Sequence, residues 1–244
     1  MRYAFWSPKG GSGTSVLAAA CAAVLARSGG VHLVDLAGDQ PAILGLAADP
    51  TTGIAEWIAA GPDAPVDALG RLSVEVAPDL HLLPAGSVRT LAPRAAAEAG
   101  ARLGAALGVE GPPVVIDAGR ADTPAARAVV ETADVSVLVL RGCYLALRRA
   151  VHAPLTRRIR GVAFVDEPGR ALGVAEITDV LDRPVLARVP VRGPIARAVD
   201  AGVIAVRTPE PLARAASRIL ERAVPARPAA SGAPVSADRS APAA

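Results

Sequence analysis

The chain has 244 residues, of which 52% are hydrophobic, 20% charged and only 2% aromatic, which supports one substantial core or two small ones and excludes disorder throughout. No apolar run reaches the ~18 residues of a bilayer span, and the opening MRYAFWSPKG has neither the long apolar stretch nor the cleavage site of a secretory signal, so a cytoplasmic location is expected. A net charge of +3 permits nucleic-acid binding without demanding it, and Cys21 and Cys143, far apart in separate apolar segments, fit neither a disulfide framework nor structural zinc.

In chain order, short apolar runs punctuated by Gly and Pro alternate with Ala-rich helical stretches. A strand at 2–6 leads through a glycine-rich loop into a helix at 14–28, followed by a strand at 31–35, a short turn at 42–46 and a helix at 54–60. The stretch GPDAPVDALGRLSVEVAPD, residues 61–79, reads as a flexible surface excursion. Beyond it come a strand at 80–83, a helix at 89–107, a strand at 114–117, a helix at 123–132 and a strand at 135–140. The remaining elements are a helix at 144–157, strands at 161–165 and 185–189, and helices at 174–181, 195–201 and 210–223.

Near-continuous apolar strands such as VSVLVL suit a sheet buried on both faces, because a half-exposed strand would alternate polar and apolar residues. The expected fold is therefore α/β: a single doubly wound, mostly parallel sheet of about seven strands with helices on both faces, formed by residues 1–223. From 224 to 244 the text is rich in Pro, Ala and Ser with no large apolar residue beyond valine, and is expected to be a disordered tail.

The loop between the first strand and first helix reads Ser7-Pro8-Lys9-Gly10-Gly11-Ser12-Gly13-Thr14-Ser15. Glycines let backbone N–H groups converge on an anion, and the following helix N-terminus adds partial positive charge, so the loop is built for phosphate. Of the 26 basic residues 25 are arginine, and the single lysine, Lys9, falls inside this loop, which points to a chemical need for an ammonium group. Asp117 closes the apolar run Val114-Val115-Ile116, where a carboxylate at the strand's C-terminal end suits magnesium held through water.

These residues resemble the ParA/MinD group of deviant Walker-A ATPases, whose loop reads KGGxGK[ST]; Lys9, Gly10, Gly11, Ser12, Gly13 and Ser15 match it. The likeness extends over about residues 1–222, through the strand ending at Asp35, the turn Pro84-Ala85-Gly86, the Walker-B strand ending at Asp117, Gly119, Val189-Pro190 and Ala201-Gly202. It implies ATP and Mg2+ as cofactors and a nucleotide-dependent homodimer in which Lys9 reaches the partner's nucleotide. It further implies Ser15 and Asp117 as magnesium residues, Gly10 to Ser15 around the phosphates, Lys9 and the switch I Asp35 as catalytic residues, and Asp166 and Pro190 near the base.

Three departures bear on chemistry. Thr14 stands where the family has the lysine that holds its own β- and γ-phosphates, Ala37 stands where the second switch I acid helps position water, and Asp166 follows the strand where an asparagine often reads adenine. Asp39 lies close by and reads first as a surface turn residue, with a reach into the site after a loop shift as the alternative. Hydrolysis is therefore expected to be weak or absent, with Arg120, Arg141 and Arg170 as candidates to replace the lost cation.

The expected function is to position or regulate other cellular components through an unknown protein partner or cargo, in the manner of atypical CpaE/TadZ-like localisation proteins. Two alternatives stand beside it: a scaffold independent of nucleotide, and a partition ATPase holding nonspecific DNA. A basic cluster of Arg148, Arg149, Arg157, Arg158 and Arg160, extended by Arg188, Arg192, Arg197, Arg214, Arg218 and Arg222, is the feature behind the last. Leu212, Ala216, Ile219, Leu220 and Ala223 form one apolar stripe without Phe or Trp, which reads as a helix packed on the sheet and not as a membrane anchor. His32, His81 and His152 read as packing or surface residues, and Trp6 and Trp57 as core or interface anchors.

Overall fold

A computed structural model describes residues 1–87, 93–108 and 111–224. Its strands are β1 (Arg2–Trp6), β2 (Val31–Asp35), β3 (Val74–Ala77), β4 (Leu80–Leu83), β5 (Val114–Asp117), β6 (Val135–Arg141), β7 (Gly161–Asp166) and β8 (Val185–Pro190). The α-helices are α1 (Thr14–Ala26), α2 (Gln40–Ile43), α3 (Ile54–Ala59), α4 (Asp67–Arg71), α5 (Pro93–Ala106), α6 (Pro124–Thr132), α7 (Tyr144–His152), α8 (Val174–Leu181), α9 (Gly193–Asp200) and α10 (Glu210–Ala223). The sheet runs β3-β4-β2-β5-β1-β6-β7-β8, and every neighbouring pair is parallel except β3 with β4. Because β1 lies centrally and the chain winds out to either side of it, loops at the C-terminal ends of β1, β2 and β5 meet above the middle of the sheet.

The period-2 alternation of strand side chains divides the core. Tyr3 and Phe5 face the layer that contains α1, α9 and α10, whereas Ala4 and Trp6 face the layer of α3 and α5 to α8. Helix α1 has no polar face over most of its length, because it is sandwiched between the sheet and α10, and its run of alanines lets both neighbours approach. The stripe Leu212, Ala216, Ile219, Leu220 and Ala223 is wholly buried in that contact. Trp6 is buried with its indole N–H donating to Ser136 Oγ at 3.1 Å, and Trp57 donates to the Pro65 carbonyl at 2.9 Å beneath the Arg102 guanidinium. Cys21 and Cys143 are both free.

Two expectations are corrected. The sheet has eight strands because residues 61–79 contain α4 and the edge strand β3, which turns back on β4 through Asp79 at φ 62. β3 was hidden because only one side of it is paired and none of its residues is buried, so it lacks the apolar run of its neighbours. The expected helix 144–157 is broken: α7 ends at His152, Ala153 is extended, and Pro154 opens a short 3-10 turn to Arg158. The pyrrolidine ring disfavours helical geometry in the preceding residue, which places the break. The start of the helix expected at 89–107 and residues 225–244 of the expected tail lie outside the described residues.

His32 on β2 and His81 on β4 face each other across adjacent parallel strands with ring centroids 5.6 Å apart. Burial, and then the neighbouring His81, push the His32 pKa below its ordinary value. The folded chain thus binds fewer protons at His32 than the unfolded chain does, so this part of the stability is complete above pH ~6.5 and is lost as pH falls through that value. The decrease in Tm between pH 7 and pH 5.5 is expected to be smaller in His32→Phe than in the parent; an equal or larger decrease would show that His32 does not contribute in this way.

Candidate functional site

The loop between β1 and α1 is held open from below by a small hydroxyl network. Ser7 and Ser12 are buried, their Oγ atoms lie 2.8 Å apart, and both hydroxyls reach the Lys9 carbonyl, at 2.9 and 2.8 Å. The Ser7 amide donates to the Gly119 carbonyl at 2.9 Å, which ties the base of the loop to the turn after β5. Gly11 and Gly13 have φ of 73° and 82°, and a Cβ on either would meet no other atom within 4 Å, so it is backbone conformation and not crowding that calls for glycine. Together the loop, α2 and the turn after β5 enclose a cavity of about 370 Å3 lined by Lys9 to Val16, Asp39, Ala42, Ile43, Gly119, Arg120 and Val199.

Lys9 is half-buried, its Nζ is 3.4 Å from the Gly10 carbonyl, and among the described residues it makes no ion pair. Thr14 is buried as the first residue of α1, with no charged group in the lysine's place. The Ser15 hydroxyl donates to Asp39 Oδ2 at 3.3 Å. Of the three candidate arginines only Arg120 borders the cavity, with its side chain over Gly10 and its guanidinium paired to Asp122 at 2.9 Å. Arg141 and Arg170 are instead directed to Glu167, at 3.8 and 2.6 Å.

Asp117 is fully buried at the end of β5. Its Oδ1 accepts from the Gly119 amide at 3.0 Å and its Oδ2 from Gln40 Nε2 at 2.8 Å. The same Gln40 nitrogen reaches the Ser15 carbonyl at 3.0 Å, so one buried carboxamide joins α1, α2 and β5. Burial pushes the Asp117 pKa up and the Asp39 charge adds to the rise, against the opposing hydrogen bonds from Gln40, Ser15 and Gly119.

Asp35 is placed differently from what a switch I acid at the phosphates would require. It is fully buried and its carboxylate is taken by its own turn: Oδ1 accepts from the Ala37 and Gly38 amides at 2.9 and 2.7 Å, and Oδ2 from the Gln40 amide at 3.1 Å. Burial and the Asp117 charge raise its pKa to about 6 despite these amides. Asp35 does not line this cavity, whereas Asp39 does, as an exposed residue of the turn before α2, in keeping with its sequence reading. Sequence reasoning missed Gln40 altogether, since a glutamine beside Pro41 in a short polar turn carries no signal that it will be buried.

Asp166 and Pro190 are register partners at the C-terminal ends of β7 and β8, on the same rim of the sheet but outside the phosphate cavity. Arg188 lies 3.8 Å from the Asp166 carboxylate. The arginine cluster is divided: Arg148 and Arg149 lie on α7 over one face of the sheet, while Arg214, Arg218 and Arg222 lie on α10 over the other. No described helix is long and apolar enough to cross a membrane.

The chemistry of this cavity fits a phosphate chain with a divalent cation. Loop amides and the N-terminus of a 13-residue helix favour the anion, and the Ser15 hydroxyl and Asp117 are hard oxygen donors within one site. Among the described residues no group of three His, Cys, Asp or Glu is placed to hold a metal by itself, so an ion here depends on phosphate oxygens and water for most of its coordination.

No protein-family model and no curated protein matches the chain. Solved structures do. The ParA family ATPase of Chlorobium tepidum is 20% identical, with a TM-score of 0.72 over 88% of this chain and 95% of that one. The septum site-determining protein MinD of Pyrococcus horikoshii, complexed with Mg-ADP, is 19% identical with a TM-score of 0.72 over 90% and 94%. The ATP complex of an aspartate-to-alanine variant of Cyanothece McdA is 17% identical with a TM-score of 0.74 over 91% and 95%. With its central phosphate loop, its parallel order β4-β2-β5-β1-β6-β7-β8 and these likenesses over nine-tenths of its length, the chain has the fold of the ParA/MinD-type P-loop ATPases.

Proposed function

We propose that residues 1–223 form one nucleotide-binding domain that takes up Mg2+-ATP, dimerises through it and so positions or regulates another cellular component, with hydrolysis slow or absent. The observation that carries this reading is the lone lysine of the chain: half-buried at the cavity's edge, without an ion pair among the described residues, and so available to a second molecule. Gly10 to Ser15 would hold the phosphates, with Ser15 beside a magnesium ion and Asp117 reaching it through water. Magnesium, when bound, supplies neutralisation of charge on the phosphate oxygens. Asp166 and Pro190, at the C-terminal ends of β7 and β8, would hold the base, and Asp35 would serve by shaping the turn that carries Asp39 and Gln40.

Slow turnover follows from what the site lacks. Thr14 offers no cation to the β- and γ-phosphates, Ala37 no group to orient water, and Asp35 has both oxygens engaged. The similar structures of a septum site-determining protein and of a plasmid partition protein support a role in septum placement or partition. An atypical localisation protein of the pilus and septum type remains the reading closest to this site.

Titration with a fluorescent ATP analogue and magnesium, followed by sedimentation, tests the proposal. The parent chain is expected to bind and to become dimeric, whereas Lys9→Ala is expected to bind within about tenfold of the parent yet stay monomeric, since it loses one contact to a charged group and that contact belongs to the partner's nucleotide. A parent that stays monomeric with nucleotide bound would remove the dimer; a parent that binds none would leave a nucleotide-independent scaffold.

A further inference from the structure

Helix α7 buries Ala146, Leu147 and Ala150, and turns a different stripe outward. Leu145, Arg148, Arg149 and His152, spaced i, i+3, i+4 and i+7, run along a second cavity of about 460 Å3 that α7 forms with α6 and the 3-10 turn after Ala153. Its apolar wall is Leu145, Ala153 and Pro154, with the buried Trp6 and Leu155 at its base. In the first turn of the helix Leu145 is 43% exposed and Tyr144 72%, whereas the other tyrosine of the chain, Tyr3, is buried. Exposed aromatic and aliphatic side chains beside a recess are what a protein interface is built from.

The charge around this cavity has one sign. Arg120, Arg127, Arg148 and Arg149 border it, and no aspartate or glutamate does. Asp122 is already engaged, its carboxylate by Arg120 at 2.9 Å and its carbonyl by Arg127 at 2.7 Å. Among the described residues Arg127, Arg148 and Arg149 make no ion pair. A guanidinium presents a planar fork of donors that holds a carboxylate at both oxygens, so three such forks around an apolar wall suit a ligand with several acids and one apolar group. Duplex nucleic acid would meet the arginines through its phosphates but leave the recess between them unfilled. Residues 225–244 of this chain carry Arg227 and Arg239 against Asp238 alone, so their charge has the wrong sign and the occupant is another molecule.

We infer that this cavity docks an acidic segment of a partner protein, one large apolar side chain entering against Leu145 and Pro154 while flanking carboxylates pair with Arg127, Arg148 and Arg149. Identifying that partner with the component positioned or regulated under the proposed function rests on that reading, whereas the docking itself needs no nucleotide. Pro8 and Arg120 also border this cavity, so the docked segment would lie next to the loop that carries Lys9.

Selection of a displayed library of random short peptides against the full chain, without nucleotide, tests this. Enriched peptides are expected to carry several Asp or Glu around one Leu, Phe or Trp. The Kd of the most enriched peptide, labelled with fluorescein, is expected to rise about ten- to a hundredfold in Arg148→Glu/Arg149→Glu, and about tenfold in Leu145→Ser and in Ala153→Phe, which fills the recess and leaves the arginines in place. Arg214→Glu/Arg218→Glu makes the same change of net charge on the opposite face and is expected to stay within about twofold of the parent, with Tm confirming that each variant is folded. Enrichment of no peptide, or of peptides without acids, overturns the inference, as does equal weakening by the two charge reversals. A random DNA duplex that displaces the peptide and binds Leu145→Ser and Ala153→Phe as tightly as the parent would assign the arginines to nucleic acid and overturn it too. The same proteins titrated with the fluorescent ATP analogue separate the two readings: peptide docking without nucleotide binding keeps this inference and removes the nucleotide reading, and the reverse result removes this inference alone.

Discussion

Thr14→Lys is expected to tighten binding of Mg2+-ATP by about ten- to a hundredfold and to raise hydrolysis from its slow or absent level. A contact between an ammonium group and a phosphate chain, when water is excluded, contributes roughly 1.5 to 3 kcal/mol, which converts to that range of affinity. The position is suited to receive it: Thr14 is the first residue of α1, lies directly after the left-handed Gly13, and borders the 370 Å3 cavity. Without nucleotide the same substitution is expected to lower Tm slightly, because a cation in the first turn opposes the helix dipole by about 0.3 to 1 kcal/mol. Isothermal titration and phosphate release measure the two gains. If neither affinity nor turnover moves, position 14 is not where the phosphate-holding lysine belongs, and the match of the loop to the KGGxGK[ST] pattern fails.

Gln40→Leu is expected to produce the largest loss of stability among substitutions in the site, about 2 to 3 kcal/mol at pH 7, or a Tm lower by roughly 5 to 10 °C. Leucine keeps much of the volume but removes the nitrogen that donates to both Asp117 and the Ser15 carbonyl, leaving a fully buried carboxylate with its Gly119 amide as the main remaining donor. The sign with pH follows. Losing Gln40 raises the Asp117 pKa further, so the folded variant holds a proton more readily than the unfolded chain, and its deficit relative to the parent shrinks as pH falls from 7 towards 5. A deficit that stays constant over that range would mean that Asp117 does not carry it. Nucleotide binding by Gln40→Leu is expected to fall as well, since the Ser15 and Asp39 positions both depend on this clamp.

The sheet was legible wherever a strand is buried on both faces. VSVLVL, VVID and VHLVD have only one way to satisfy both their apolar side chains and their backbone groups, and they became β6, β5 and β2 within a residue of the expected bounds. β3 was not legible, because an edge strand with exposed side chains is decided by what pairs with it. Helices α8 and α10 carry their apolar stripes at full contrast and were read to the residue, whereas α7 was read through its own end because the proline that stops it lies two residues beyond His152.

In the site, local chemistry alone determined the phosphate loop: the left-handed backbone at Gly11 and Gly13 and the placement of Lys9, Ser15 and Asp117 at the ends of their strand, loop and helix follow from short stretches of sequence. The roles of the three residues around switch I were decided only by the tertiary structure. Asp35 turns onto its own loop amides, Asp39 meets Ser15 across 24 positions of chain, and Gln40 meets Asp117 across 77. The physical reason is that a strand fixes where its last residue emerges but not where that side chain finds partners; a buried carboxylate or carboxamide goes to whichever donors and acceptors the fold brings within reach.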